Sequence, residues 1–316
     1  MASAPLLSIW IPTFNRADYL KRLLESLYSQ SIEFIDSGVL EIIVSDNCSQ
    51  DSTEQLCEQS FEKIEYRKQT VNMGFDRNFS LGFSECAGEF IWTIGDDDFI
   101  QPGAVADILR TLGDRIRMKG ISLLKLPVKI IGESQETSVN TNPTAGEFLA
   151  FTAVEAITFC GLDELMRISS SIYRRADSKR SDKDPGGRGW NVSPLEHALF
   201  ALGNGKTLLL PHPHVFCNED RYHRQTWQAE WKFIANVAMP FVLLENRVIL
   251  RNKHGSHIPV LFFRKGFSFD TLSDACKKMG VLEKLRLLPA LLTDARFYQF
   301  LIVRALRPLK RGIGAD

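Results

Sequence analysis

The sequence predicts an α/β fold: a Rossmann-like, mostly parallel central sheet flanked by helices, with a helical C-terminal extension. Two observations carry this. Over residues 6–112, short apolar runs alternate with amphipathic helical segments, the pattern of parallel strands joined by crossover helices. Clusters of polar residues follow the runs at 13–16, 46–53 and 96–98. Ligands of such sheets bind outside the carboxyl ends of the strands, so these loops are expected to meet at one crevice.

Residues 6–12 (LLSIWIP) are an apolar run closed by Pro12 and read as a buried strand. In residues 17–30, Leu20, Leu23, Leu24 and Leu27 recur at helical spacing and define one apolar face. Residues 39–45 (VLEIIVS) read as a second strand. Residues 46–53 form a loop rich in helix-capping side chains and open a helix over 52–60. A short strand is expected at 64–67, a turn at Asn72-Met-Gly74, a helix over 76–86 and a strand over 89–94. Beyond Pro102 come a helix over 104–112, one strand over 121–131, a polar loop over 132–146, a helix over 148–159 and a strand over 169–174. Residues 178–189 (SKRSDKDPGGRG) have the composition of a loop. A helix over 193–202 opens with Ser193-Pro194, proline being tolerated in a first turn, and a strand follows over 206–210. The expected organisation is a domain over 1–225, in halves 1–112 and 113–225, and a helical, basic region over 226–316.

Among 316 residues, 44% are hydrophobic and 24% charged, ordinary for a soluble globular protein. The formal net charge of +0 gives no average attraction to a polyanion, and no nucleic-acid partner is expected. The six cysteines show no CxxC and no ligand-like spacing, which points to reduced thiols in a cytoplasmic protein. The N-terminal MASAPLLSIWIP lacks the basic segment of a signal peptide. No apolar run reaches the roughly 18 residues of a membrane span.

The stretch FIWTIGDDDFIQPG, residues 90–103, sets three aspartates at the end of an apolar strand. Crowded like charges repel, and such a cluster persists when solvated or when a cation neutralises it. An Asp-x-Asp turn offers two hard oxygen ligands suited to Mg²⁺ or Mn²⁺, ions that complete their shell with water and substrate phosphate. The plainer reading is a solvated acidic turn before Pro102.

Four motifs stand in order: Ile9-Trp-Ile-Pro-Thr-Phe-Asn-Arg16, Glu41-Ile-Ile-Val-Ser-Asp-Asn-Cys-Ser-Gln-Asp-Ser-Thr53, Asn72-Met-Gly74 with Arg77-Asn78, and Gly88-Glu-Phe-Ile91 leading to Asp96-Asp-Asp98. Together they closely resemble the family 2 glycosyltransferases of the GT-A fold. The GDDD form resembles the bacterial O-antigen and polysaccharide sugar transferases, abequosyltransferases among them. The resemblance is dense over residues 6–110 and thin to about 225.

It implies that Pro12, Thr13, Asn15 and Arg16 cup the nucleotide of a nucleoside-diphosphate sugar donor and that Asp46 receives the base. Arg77 is placed near the donor. Asp98 becomes a metal ligand, Asp96 lies near the ribose and the metal, and Asp97 is adjacent to the donor. Asn47 and Cys48 stand where the family usually has Asp and Gly. The resemblance further implies an inverting transfer to an acceptor hydroxyl, with a general base at the start of a helix in the second half. The matching segment is 190–198, where the family's usual Glu-Asp pair is replaced by Glu196 and His197. Arg221, His223 or Arg224 on the following loop would close over the diphosphate. Trp190 and Trp227 are candidate stacking surfaces for acceptor sugars.

The acceptor class implied is a glycan or lipid-linked oligosaccharide. Bases from Lys277 to Arg311, set between apolar runs, suit an anionic membrane surface, and so a peripheral place on the cytoplasmic face of the inner membrane. The rival readings are a non-catalytic nucleotide-sugar-binding protein and a sugar nucleotidyltransferase. The second needs a glycine-rich loop after the first strand, and residues 12–16 contain no glycine. A phosphohydrolase would set its Asp-x-Asp on the first strand.

Overall fold

The computed structural model describes residues 4–131, 137–140, 146–160, 162–178 and 191–218. The chain divides into two compact units, Met1–Thr226 and Trp227–Asp316, and all described residues lie in the first. The expected helical region from 226 lies outside the described residues.

The first half runs β1 (Leu7–Thr13), α1 (Ala17–Tyr28), α2 (Ile32–Asp36), β2 (Leu40–Asp46), α3 (Thr53–Ser60), β3 (Glu65–Lys68), α4 (Phe75–Glu85), β4 (Phe90–Thr93), β5 (Phe99–Ile100) and α5 (Ala104–Gly113). The four-leucine face predicted on α1 is buried. The second half runs β6 (Ile121–Lys125), β7 (Val128–Ile131), β8 (Thr137–Asn140), β9 (Phe148–Ala150), α6 (Ala153–Cys160), α7 (Leu162–Met166), a 3₁₀ turn at Ile168–Ser170, β10 (Ser171–Arg174), α8 (Arg175–Ser178), α9 (Ser193–Asn204), β11 (Lys206–Leu209) and β12 (Val215–Asn218).

An eight-stranded sheet has the order β3-β2-β1-β4-β10-β6-β11-β9. Strands β3, β2, β1 and β4 are parallel, as the crossover pattern requires. Strand β10 reverses direction, pairing antiparallel with both β4 and β6, and β9 closes the far edge antiparallel to β11. The sheet is therefore mostly parallel, as expected. Its interior is aromatic, with Trp10, Trp92, Tyr173, Phe79, Phe83 and Phe90 fully buried.

A second sheet, of four strands in the order β5-β12-β7-β8, departs from the expectation. The single strand expected over 121–131 is two strands in two sheets. Pro127 has no N–H for a ladder and breaks the run, and Leu126 instead donates its N–H to Ser170 O at 2.8 Å. Part of the expected loop over 132–146 is β8. The helix expected over 148–159 begins late, because residues 148–150 pair with β11. It starts at a capping box in which Glu155 N–H donates to Thr152 Oγ1, and Glu155 Oε2 accepts the Phe151 and Thr152 N–H groups.

Candidate active site

Thr13 ends β1, Asp46 ends β2, and residues 96–98 follow β4, so three loops meet at the carboxyl edge of three adjacent parallel strands. Hydrogen bonds bind the first two loops together. Asn15 N–H donates to Ser49 Oγ at 2.8 Å, Gln50 N–H to Asn15 Oδ1 at 2.7 Å, and Ala17 N–H to Asp51 Oδ2 at 2.9 Å. Asn15 needs a left-handed backbone, φ 52°, to face both ways, a conformation asparagine tolerates.

The Asn72-Met-Gly74 turn is fastened to the same edge. Met73 N–H donates to Asn47 Oδ1 and Asn47 Nδ2 donates to Asn72 Oδ1, each at 2.9 Å. Asn78, one turn into α4, is a clamp on β2: its Nδ2 donates to Ser45 O and its Oδ1 accepts Ser45 Oγ–H. Arg77 is exposed on the first turn of α4, beside the edge.

Asp96 is 4% exposed. Its Oδ2 accepts Thr13 Oγ1–H at 2.7 Å and its Oδ1 accepts Arg16 Nη1–H at 2.6 Å. Arg16 also reaches Asp97 Oδ2 at 3.3 Å, so one guanidinium spans two carboxylates. Asp98 is turned inward; Ser169 Oγ and Cys217 Sγ donate to its Oδ2, and Asn218 N–H donates to its Oδ1 at 3.1 Å. Burial raises Asp96 to about 6, against the opposing pull of Arg16. Burial and the Asp97 charge raise Asp98 to about 7, although three donors oppose them. Arg16 is shared by Asp96 and Asp97, and the three donors on Asp98 are neutral, so the acidic turn as a whole is starved of positive charge.

That starvation defines what fits. Among the described residues, no group of three or more His, Cys, Asp or Glu side chains converges on a metal position. The donor set is two buried carboxylates of hard oxygen. It fits a Mg²⁺ or Mn²⁺ ion held by one or two protein carboxylates and completed by phosphate and water, and does not fit an ion caged by protein alone.

Asp46 is fully buried, and its two oxygens accept Tyr66 OH at 2.6 Å and Ser49 N–H at 2.9 Å. It therefore holds its own loop in shape; a base N–H would have to share an oxygen with one of these donors. Glu196 and His197 lie at the start of α9, both buried. Asp76 of α4 accepts the Asn191 and Ser193 N–H groups at 2.9 Å each, which anchors this helix start beside the Asn72–Gly74 turn. His197 does not face the crevice. Its ring stacks on Phe83 at 3.8 Å, its Nδ1 lies 2.7 Å from Ser178 O and its Nε2 lies 3.1 Å from Ser80 Oγ. Both nitrogens have protein partners, and the ring packs between α4 and α9. Arg221, His223, Arg224, Trp190 and Trp227 lie outside the described residues.

Sequence reasoning missed Ser169, Cys217 and Asn218 N–H as the cradle of Asp98. Ser169 is the hub, since it also accepts Gly95 N–H at 2.8 Å. Its only trace in the sequence is the serine run 169–171. Tyr66, the partner of Asp46, gave no signal.

A parallel half-sheet with an acidic turn at its carboxyl edge, extended by an antiparallel strand and a second small sheet, defines the GT-A class of α/β fold. Residues 8–116 match the model of the family described as glycosyl transferase family 2, and the resemblance read from the motifs holds over that segment. The chain is similar to the abequosyltransferase RfbV of Salmonella typhimurium, 40% identical over 114 residues, which are 34% of this chain and 33% of that protein. It is 34% identical over 110 residues to the GalNAc(5)-diNAcBac-PP-undecaprenol beta-1,3-glucosyltransferase of Campylobacter jejuni, 34% of each chain. The chain thus matches about a third of the length of these relatives. The structure of S. aureus TarS 1-349 in complex with UDP-GlcNAc superposes with a TM-score of 0.63 at 19% identity, covering 90% of this chain and 79% of that one. That likeness concerns the fold.

Proposed function

We propose that the protein is a metal-dependent, inverting glycosyltransferase. It moves a sugar from a nucleoside-diphosphate donor to a hydroxyl of a glycan or lipid-linked oligosaccharide in bacterial surface polysaccharide synthesis. The observation that carries the reading is the Asp96–Asp98 turn: two buried carboxyls with raised pKa values, at the carboxyl edge of the parallel strands. Residues 1–112 bind the donor, 113–225 bind the acceptor, and the basic region over 226–316 faces an anionic membrane surface.

Asp98 and Asp96 would hold a Mg²⁺ or Mn²⁺ ion, which would supply Lewis-acid stabilisation of the departing diphosphate. Pro12, Thr13 and Asn15 shape the nucleotide side of the crevice, with Asp46 at the base. Arg16, adjacent to Asp96 and Asp97, adds positive charge where the diphosphate leaves. Glu196 takes the proton of the acceptor hydroxyl as its oxygen bonds to the sugar's anomeric carbon and the bond from that carbon to the diphosphate breaks. Arg77, Arg221 and His223 border the donor.

The test is a screen of UDP-, GDP-, CDP- and TDP-sugars for hydrolysis and transfer with Mn²⁺ or Mg²⁺. One donor is expected to release its nucleoside diphosphate only with the cation, and Asp98→Ala to lower that rate about 100-fold or more. Donor binding that ignores both the cation and the substitution, with no turnover when acceptor is present, would favour the non-catalytic binding protein.

A further inference from the structure

The other end of the same sheet holds a pocket of about 690 Å³ that the reading above does not use. It lies where β1, β2 and β4 begin, lined by Leu6, Val39 and Glu89, and where antiparallel β10 ends, at Arg174. Strand β1 is seven residues long, which sets this pocket about 20 Å from Thr13.

Its charge is one-sided. Arg115, Arg174 and Arg175 line it, against one carboxylate, Glu89. Glu89 is shared, with Oε1 accepting Arg174 Nη1–H at 2.7 Å and Oε2 accepting Arg115 Nη1–H. Two more acids stand behind the wall. Asp177 is 3.7 Å from Arg174 Nε and accepts Ser122 Oγ–H, and Glu41 accepts Ser8 Oγ–H and the Ala87 N–H. Neither lines the pocket.

Two of the three guanidiniums are held by backbone carbonyls, whereas among the described residues Arg115 is anchored by Glu89 alone. Arg174 donates to Ile121 O and Met118 O and lies over the Phe90 ring, and Arg175 donates to Gly88 O and Ala87 O. Arg175 has, among the described residues, no carboxylate within ion-pair reach. Among the described residues, its Nη1 and Nη2 of Arg115 keep N–H groups with no carboxylate to receive them. The fixed Arg175 fork, beside two guanidiniums that share the one Glu89 carboxylate, matches phosphate oxygens. The rest of the lining is largely apolar.

We propose that this pocket binds a phosphate group carried on an apolar body, at a site separate from the donor crevice. The ligand is either a soluble phosphate ester or an anionic lipid headgroup, which share this chemistry. The probes are inorganic pyrophosphate in metal-free calorimetric titration, and sedimentation with phosphatidylcholine vesicles with and without phosphatidylglycerol. Each is run on the full chain, wild type, Arg115→Glu, Arg115→Ala/Arg175→Ala and Arg16→Ala.

Pyrophosphate is expected to show a binding component whose affinity is about tenfold lower in Arg115→Glu and lower still in the double variant, and which persists in Arg16→Ala, a variant that weakens only binding at the donor crevice. Arg115 is 64% exposed, so its variant tests the site even if Arg175→Ala, which frees two carbonyls, fails to fold. Phosphatidylglycerol-dependent sedimentation reduced in Arg115→Glu assigns the lipid headgroup; pyrophosphate binding without that effect assigns the soluble ester. Pyrophosphate binding and sedimentation both insensitive to Arg115→Glu, or pyrophosphate binding lost only in Arg16→Ala, overturn the proposal.

Discussion

Asp98 has three protein donors and a raised pKa nonetheless, because burial and the charge of Asp97 outweigh them. The consequence is a pH-dependent fold. An aspartate titrates near about 4 when unfolded, whereas Asp98 titrates at about 7 and Asp96 at about 6 in the folded protein. The folded state holds these protons more tightly, so the stability they contribute is full below pH about 4 and is lost as pH rises through 7. Metal-free protein is therefore expected to melt lower at pH 8 than at pH 5.5. Added Mn²⁺ should raise the midpoint more at pH 8, where both carboxyls are ionised. Calorimetry with and without the cation measures this, and Asp98→Asn should flatten both effects. A second residue shows its history in its backbone. Cys48 sits at φ 71°, the left-handed region that suits glycine, at the position where family 2 members usually have glycine. Cys48→Gly is expected to relieve up to about 1 kcal/mol of strain and raise the thermal midpoint by about 2–4 °C.

Helix α4 organises the elements around it through what it lacks as much as through what it carries. A Cβ on Gly82 would stand 2.7 Å from the Trp10 ring, which is fully buried on β1 and donates its Nε1–H to Asn78 O of the same helix. Gly82→Ala improves intrinsic helix propensity by about 1 kcal/mol. The overpacking against Trp10 costs about 1–3 kcal/mol and wins. The variant should unfold at lower denaturant, with tryptophan emission as the readout. Strands β1, β2 and β4 were legible in the sequence as continuous apolar runs, and helix α1 by the spacing of its four leucines. The break at Pro127 and the capping box Thr152–Glu155 were written there too, in proline chemistry and spacing, and were passed over. Sheet β5-β12-β7-β8 was not legible. Strand β5 has two residues, and β12 pairs with it across more than a hundred residues and with β7 across more than eighty, so no local pattern announces the pairing. For the same reason the acidic turn could be found in the sequence while its cradle, Ser169, Cys217 and Asn218, could not.

At the scale of the whole first unit, a carboxylate of α4 is one of the links between residues 1–112 and residues 113–225, beside those that Ser169, Cys217 and Asn218 make to Asp98. Asp76, in residues 1–112, receives the N–H groups of Asn191 and Ser193 at the start of α9, in residues 113–225. A helix start normally finds such a cap in its own sequence; the residue before α9 is Val192, which has no side-chain acceptor. The position of Glu196, one turn in, is thus set from the other half of the fold. Removing the cap separates the two halves functionally. Asp76→Ala should cost about 0.5–2 kcal/mol of stability, the range of a lost N-cap. The loops at 13–16, 46–51 and 96–98 do not depend on it, so cation-dependent hydrolysis of the donor should keep its KM. Transfer to acceptor, which under the proposed function needs Glu196 in register with the incoming hydroxyl, should fall about tenfold or more in kcat/KM. Paired hydrolysis and transfer assays on one preparation measure the split. Equal losses in both would show that Asp76 serves the fold at large and that α9 holds its own place.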